Sequence, residues 1–567
     1  MPANSIKYLV IVICLAIPGL IQPAQTPAQN AGGYDLVIKN GRIIDGTGNP
    51  WFYGDLAISG DRIVSIGQIP SQNANRTIDA SGKVVSPGFI DIHSHSDDLL
   101  LEDGHAQSKI RQGVTTEILG EGRSAGPNQG QLPPQKASVR GQSIEWTTLG
   151  GYFDQIDRLG VSVNVASYVG LDNLWECVMG KSHARPSQEQ IDGMKKLLDE
   201  AMGQGALGLS TMLMMPPGSL ATTDDLVQLC SVVKKHGGIF SSHIRSEGLD
   251  IFSSVKQVIE VAERAGVPLD IIHIKIADEK LWGKMNEVVG LIDAARARGV
   301  NVQANVYPYT RGNNNLSSII PPWAHEGGNA AMIGRLKDAE ARKRLKRDIA
   351  QGIDGWYNHY TAVGGDWSRM LISGQGPYEG QTMDKVIAAR SAGKSPAPDA
   401  LDILFDVLID QKGSLPTVYA HHEERDMTLA MQQPWCSIGS DGSAYATEGL
   451  LRRGNPHPRN FGTFPRVLGV YAREMGLLTL EEAVRKITSL NAAKVGITDR
   501  GLLRAGNFAD VTIFDPKTVI DQSTFTAPFA YNKGIAYVIV NGKVVLEGDL
   551  HTGAMPGRAL RRKSPAL

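Results

Sequence analysis

His93 and His95 alternate in the run IDIHSHSDD, and a period of two on a strand points both imidazoles the same way. A pair of imidazoles side by side at a strand end can ligate a divalent ion. Three further residues close apolar runs in the same manner: His243 in IFSSHIR, His273 in DIIHIK and Asp441 in CSIGSDG. Any one of them alone reads as a hydrogen-bonded buried side chain. Together, four imidazoles and a carboxylate form the donor set that Zn²⁺ and similar borderline ions prefer.

Such ligands converge only if the strands that carry them close into a barrel. Eight apolar runs precede amphipathic or polar stretches: GFIDIHSH, TTEILGEG, VNVASYVG, GALGLSTM, IFSSHIR, DIIHIK, VQANVYPY and CSIGSDG. The helix expected after Ser187 has a capping box with Gln190 and then Ile191, Met194, Leu197, Leu198 and Ala201 on one face. Another is expected from Thr479. Strand and helix in alternation predict an α/β fold, a (β/α)₈ TIM-like barrel over residues 87–499.

Outside the barrel the texture changes. Residues 34–86 hold short runs broken by Gly and Asp, as hairpin strands are, and 500–567 repeat that texture in ADVTIFDP and IAYVIVNGKVVLEGD. The two chain ends are expected to meet in one small β-sandwich. Residues 311–415 are too long and too rich in Gly, Trp and Tyr for one helix, so they read as an insertion late in the barrel, over its active face.

The 567 residues are 42% hydrophobic and 20% charged, with 57 Lys and Arg against 58 Asp and Glu. That balance leaves no net field to recruit nucleic acid or an anionic membrane, and a small molecule is the expected partner. Nothing in the sequence fixes an oligomeric state. Lys7 and the apolar run from Tyr8 to Ile21 have the length of a signal-peptide core, so residues 1–30 read as a signal peptide and linker and the protein as exported, periplasmic or secreted. An uncleaved anchor is the other reading. Cys177, Cys230 and Cys436 are too few and too widely spaced for a disulfide framework.

The chain resembles the amidohydrolase superfamily and, within it, the D-aminoacylase (N-acyl-D-amino-acid deacylase) family. The resemblance runs from Tyr34 to Asp549 and rests on PGFIDIHSHSD, QGVTTEILGEG, GALGLSTM, SHIRSE, IIHIK, YPYTRG with SSIIPPW, GSDG, HPRNFGTFPRVLG and the stretch LLTLEEAVRKITSLNAAKVGITDRGLLRAGNFADVTIFDP. It implies that His93 and His95, helped by Asp441, hold one Zn²⁺ and that His243 and His273 hold a second. It implies that Asp441 takes a proton from the attacking water and returns it to the departing amine. Lys275, Tyr307 and Arg459 are implied as holders of the substrate α-carboxylate. Arg245 reads as structural, with Glu247 as its partner.

Two departures stand out. Where the family places a cysteine ligand in a G-N-C-G-like turn, this chain has Gly120, Glu121, Gly122 and Arg123, and Glu121 is expected to supply a bridging oxygen instead. The third strand, where the family tends towards G-H-x-x-L-R, reads Gly170, Leu171, Asp172, Asn173, Leu174, Trp175. Of the neighbours His421 and His422, at most one is expected in the pocket, because adjacent strand residues point oppositely. Trp323, Trp356, Tyr357, Tyr360 and Trp367 read equally as an apolar lid or as packing within the insertion.

The activity implied is metal-dependent hydrolysis of a linear amide, most simply an N-acyl-D-amino acid. A cyclic amidase or isoaspartyl-type dipeptidase is one alternative. Such enzymes bridge their metals with a carboxylated lysine on the fourth strand, and GALGLSTM offers none. A non-catalytic amidohydrolase-like scaffold is the other.

Overall fold

Eight short strands, each buried on both faces, form the centre of the molecule: β1 (Phe89–Asp91), β2 (Val114–Leu119), β3 (Asn164–Ser167, continued by Val169–Gly170), β4 (Gly208–Met212), β5 (Ile239–His243), β6 (Leu269–Ile271), β7 (Val302–Val306) and β8 (Cys436–Ile438). The structure is a computed structural model that describes residues 33–70, 74–139 and 142–562. The expected leader lies outside these residues. Every neighbouring pair from β1 to β8 is parallel. The ring closes just past the strand ends, where Ser94 bridges Gly442, Asp441 N–H donates to His93 O (2.9 Å) and His95 N–H donates to Gly442 O (3.0 Å). A strand covered on both faces needs a continuous apolar run, which is why these segments do not alternate.

Helices return the chain between strands and bury their apolar stripes against the barrel. Gln188–Gly203 starts with the expected capping box between Ser187 and Gln190, and Thr223–Lys235 has another between Thr222 and Asp225. Leu480–Ile487 is capped by Thr479. Among the described residues no helix is long and apolar enough to cross a membrane.

Beneath the closure lies Lys109, fully buried on the short helix Gln107–Arg111. Its ammonium donates to Asp91 Oδ2 (2.7 Å), Ser440 Oγ (2.9 Å), Ser94 Oγ (3.0 Å) and Gly442 O (3.0 Å), and lies 3.5 Å from buried Glu117. One cation therefore ties the ends of β1 and β8, the two strands that carry His93, His95 and Asp441. Removing it strands two buried carboxylates, so Lys109→Met is expected to destabilise the protein by about 3–5 kcal/mol, read as a lower urea midpoint. A loss below about 1 kcal/mol would show that Asp91 and Glu117 are held without it.

The two chain ends build one nine-stranded sheet. Its seam is the antiparallel pairing of Val84–Pro87 with Val511–Phe514, and Leu36, Ile58, Val85, Val511, Ile513 and Ile539 share its core. The last residues differ from expectation. Beyond Leu550–His551 the chain leaves this sheet and runs along β3, with Val165 N–H donating to Arg558 O and Leu560 N–H to Val165 O. Arg561 then pairs with Asp154 and Asp157. The tail straps the barrel because its backbone completes the open hydrogen-bonding groups there.

Between β7 and β8 the insertion folds as a unit with its own three-stranded sheet, in the order Gly312–Asn315, Pro416–Tyr419, Met370–Ile372, and its own apolar core. The helix Glu424–Gln432 that follows packs on the barrel. Trp356 lies in the insertion's core, with Trp323, Tyr360 and Trp367 packed against it. Tyr357 instead joins Met214 and Ala277 at the seam with the barrel, donating its hydroxyl to Ala277 O (2.9 Å). None of the five lines the central cavity.

Candidate active site

At the C-terminal ends of the strands a cavity of about 480 Å³ opens between the barrel and the insertion. Its size suits a small molecule, and the end of the barrel at which it lies is where such folds place their chemistry. His95, His243, His273, Lys275, Tyr307, Asp441 and Arg459 line it from the barrel side; Asn313, His359 and Gln375 are among those facing them from the insertion.

His93, His243 and His273 turn ring nitrogens to one another within 4.8 Å, and so do His93, His95 and Asp441. His93, fully buried, belongs to both groups. Its backbone and Cβ are packed so closely on Gly439 that a side chain there would come within 2.8 Å of His93 Cβ. His95 Nε2 lies 3.0 Å from Asp441 Oδ1 and 3.1 Å from His93 Nε2. The other carboxylate oxygen, Oδ2, faces Arg459 Nη1 at 2.7 Å and His273 Nε2 at 3.7 Å.

The electrostatics favour a cation at the centre. Burial holds His93 and His243 well below the ordinary histidine range, against the pull of Asp441, so both are neutral with lone pairs available. Burial pushes Asp441 upward, but Arg459, His93 and the bond from His95 outweigh it and keep the carboxyl well below its usual range. Neutral imidazoles converge on the Oδ1 side of an ionised carboxylate whose Oδ2 is held by Arg459, and His93 Nδ1 is buried with no hydrogen bond. These donors fit one or two divalent ions. His273 (φ 33°) and Asp441 (φ 51°) both sit in the left-handed region, a conformation that costs about 1–3 kcal/mol in a non-glycine residue and gathers at functional sites.

Of the residues expected to hold a substrate carboxylate, Tyr307 and Arg459 have unused donors. The Tyr307 hydroxyl and Arg459 Nε and Nη1 are buried without a well-aligned partner, and the guanidinium lies over the Tyr307 ring at 4.9 Å. Lys275 shares the wall, but its ammonium meets Glu247 Oε1 (2.6 Å), His273 Nδ1 (2.7 Å) and His273 O (3.1 Å). With the Nδ1 hydrogen of His273 turned to Glu247, the ammonium donates to Glu247 Oε1 and His273 O and is largely committed.

Several expectations need correction. Arg245 does not pair with Glu247: it donates to Ser219 O, Ala221 O and Gln257 Oε1. Glu247 turns inward, 3.1 Å from His273 Nδ1, and Lys275 and His273 overcome the burial that would raise its carboxyl, holding it low. It was legible only as the acidic residue four past His243. Glu121 is in neither ligand group. Its Oε2 accepts from Ser210 Oγ (2.7 Å), its Oε1 has no partner, and burial pushes the acid well above its usual range. As expected, one of the neighbouring histidines lines the cavity, His421 and not His422, although their rings meet at 3.0 Å between Nδ1 atoms. They follow the end of Pro416–Tyr419, where alternation no longer applies.

Comparison with known proteins agrees with this geometry. The sequence profile described as Amidohydrolase family matches residues 76–546. D-aminoacylase of Alcaligenes xylosoxydans xylosoxydans is 34% identical over 93% of this chain and 98% of its own length. N-acyl-D-glutamate deacylase of the same organism is 34% identical over 93% and 96%. A D-aminoacylase structure with a binuclear metal centre superposes with a TM-score of 0.77 at 33% identity, over 93% of this chain and 100% of that one. The N-acyl-D-glutamate deacylase of Bordetella bronchiseptica, solved with zinc and a phosphonate mimic of the tetrahedral intermediate, gives 0.77 at 31% over the same shares. A barrel closed through His93 and Asp441, with matches along nearly its whole length, shows that the chain belongs to the amidohydrolase family.

Proposed function

We propose that the protein hydrolyses the amide of N-acyl-D-amino acids, releasing a carboxylate and a D-amino acid. The observation that carries this is the placing of Asp441 between the histidine groups on one side and, on the other, the Arg459 guanidinium that pairs with it and the unpartnered Tyr307 hydroxyl. Relatives over nearly the full chain are deacylases of D-amino acids, and one was solved with zinc. His93, His95 and Asp441 would hold one zinc ion, and His243 and His273 would help to hold another. Bound zinc polarises an amide carbonyl and makes water nucleophilic near neutral pH.

The chain's own residues do the rest. Asp441 is ionised and buried, so it accepts a proton from the attacking water at Oδ2 and delivers it to the leaving nitrogen. Arg459 keeps that oxygen charged until the proton arrives. Glu247 accepts from His273 Nδ1–H, which leaves the Nε2 lone pair facing the centre. Arg459 and Tyr307 receive the α-carboxylate, and burial keeps the phenol protonated as a donor.

The reading is tested by loading the protein with zinc and offering paired N-acetyl-D- and N-acetyl-L-amino acids while following free amine. Release from the D series is expected. Turnover of cyclic imides or β-linked dipeptides alone would refute it. Arg459→Ala is expected to lower kcat/KM for the acyl amino acid about 10- to 100-fold more than for the matching N-acyl amine without a carboxylate. Equal losses on both would remove Arg459 from carboxylate binding. The apolar run Tyr8–Ile21 supports export; recovery of the protein only from the cytoplasmic fraction with residues 1–30 retained would argue against it.

A further inference from the structure

A second cavity, about 440 Å³, lies on the far side of His95 and shares His95, Ser443, Tyr445 and Arg453 with the first. Its other walls come mainly from segments that follow β1, β2 and β3, whereas Tyr307 and Arg459 line the first cavity only. Four acidic side chains line it: Glu121, Asp97, Asp98 at the exposed rim, and Glu102. Glu121 is 5% exposed, and its Oε1 has no partner; Asp97 Oδ1 is likewise buried and unpartnered.

The cations of this chamber are already committed. Arg123 pairs with Glu176, and Arg453 grips both oxygens of Glu102 at 3.0 Å. Among the described residues no lysine or arginine forms an ion pair with Asp97, Asp98 or Glu121. His95, at the partition, is the remaining basic group, and its Nε2 is turned to Asp441. The chamber thus holds, in a confined space, carboxyl oxygens with unfilled acceptor capacity and no lysine or arginine paired to them.

A substrate whose α-carboxylate rests on Arg459 and Tyr307, and whose amide lies at the histidines, sends its acyl group towards β1–β3. We propose that the second chamber receives the acyl chain and selects one with a cationic nitrogen at its far end, an ammonium or guanidinium bound by Glu121 and Asp97. This rests on the deacylase reading only in naming the acyl group as the occupant. Charge-assisted bonds to two carboxylates would set the preference, and Ser210 fixes the orientation of Glu121.

The test is calorimetric binding of the acid products to the zinc-loaded protein, comparing 4-aminobutanoate with pentanoate and 6-aminohexanoate with heptanoate. Each pair differs by an ammonium in place of a methyl group. At least one amino acid is expected to bind roughly 10- to 100-fold more tightly than its isostere. Glu121→Gln and Asp97→Asn should each reduce that ratio severalfold while zinc content, measured by mass spectrometry, stays that of the parent. Equal or weaker binding of both amino acids overturns the proposal, as does a preference that survives both variants. Loss of zinc from Glu121→Gln also overturns it, because Glu121 would then be a metal ligand. A binding preference that depends on both carboxylates, with no turnover of any N-acyl-D-amino acid, sustains the cationic site and refutes the deacylase reading.

Discussion

Asp441→Asn is expected to lower kcat about 10³- to 10⁴-fold on N-acyl-D-amino acids, the range associated with losing a positioned proton carrier. An amide nitrogen leaves badly unless it is protonated, and Asp441 Oδ2 is the carboxylate oxygen turned towards Arg459 and His273 rather than His95. Asparagine keeps the shape but cannot carry the proton. A substrate with a leaving group that needs no proton separates this from a change in metal binding: a nitrophenyl ester should lose far less than the amide. If ester and amide fall equally in a variant that retains its zinc, Asp441 is not the proton carrier.

His93→Ala is expected to abolish zinc retention, whereas His95→Ala and His243→Ala should each still hold one equivalent, because each leaves one group of three donors intact. The difference follows from geometry, since His93 alone is common to the two groups of converging donors. Metal content after zinc loading and desalting, measured by mass spectrometry, reads it directly. Activity should fall below detection in His93→Ala, because no site with three donors remains. Retention of one equivalent in that variant would show that His243 and His273 recruit a further ligand and that the two groups are independent.

The sequence read well where local rules act alone. All eight barrel strands were marked by apolar runs, because burial on both faces demands them, and His93, His243, His273 and Asp441 were visible because each ends such a run. The insertion was visible as a break in periodicity. What escaped was decided beyond the strand ends, where the chain turns and side-chain direction no longer follows from spacing. Glu121 shows this: it occupies the right strand end, yet Gly120 (φ 84°) and Gly122 (φ 71°) turn the backbone on either side of it, and the carboxylate meets Ser210. Lys275 stands two residues past His273 as a pocket-lining spacing requires, but a buried acid from the loop after β5, Glu247, captures it. Lys109 offered no signal, since a lysine in a short polar helix ordinarily faces water.

The sheet shared by the two chain ends bears on how the molecule is made. Ser86 hydrogen-bonds to Thr512, 426 residues later, and the strap along β3 is later still. A growing chain therefore presents its first barrel strand long before the strand that completes the adjoining sheet exists, and β1 cannot meet β8 until Cys436–Ile438 has been synthesised. Contacts of such separation slow folding and leave apolar strands uncovered in the meantime. Closure of the barrel thus waits for its last strand, and a nascent chain stalled before Val511 is a natural client for a holding chaperone.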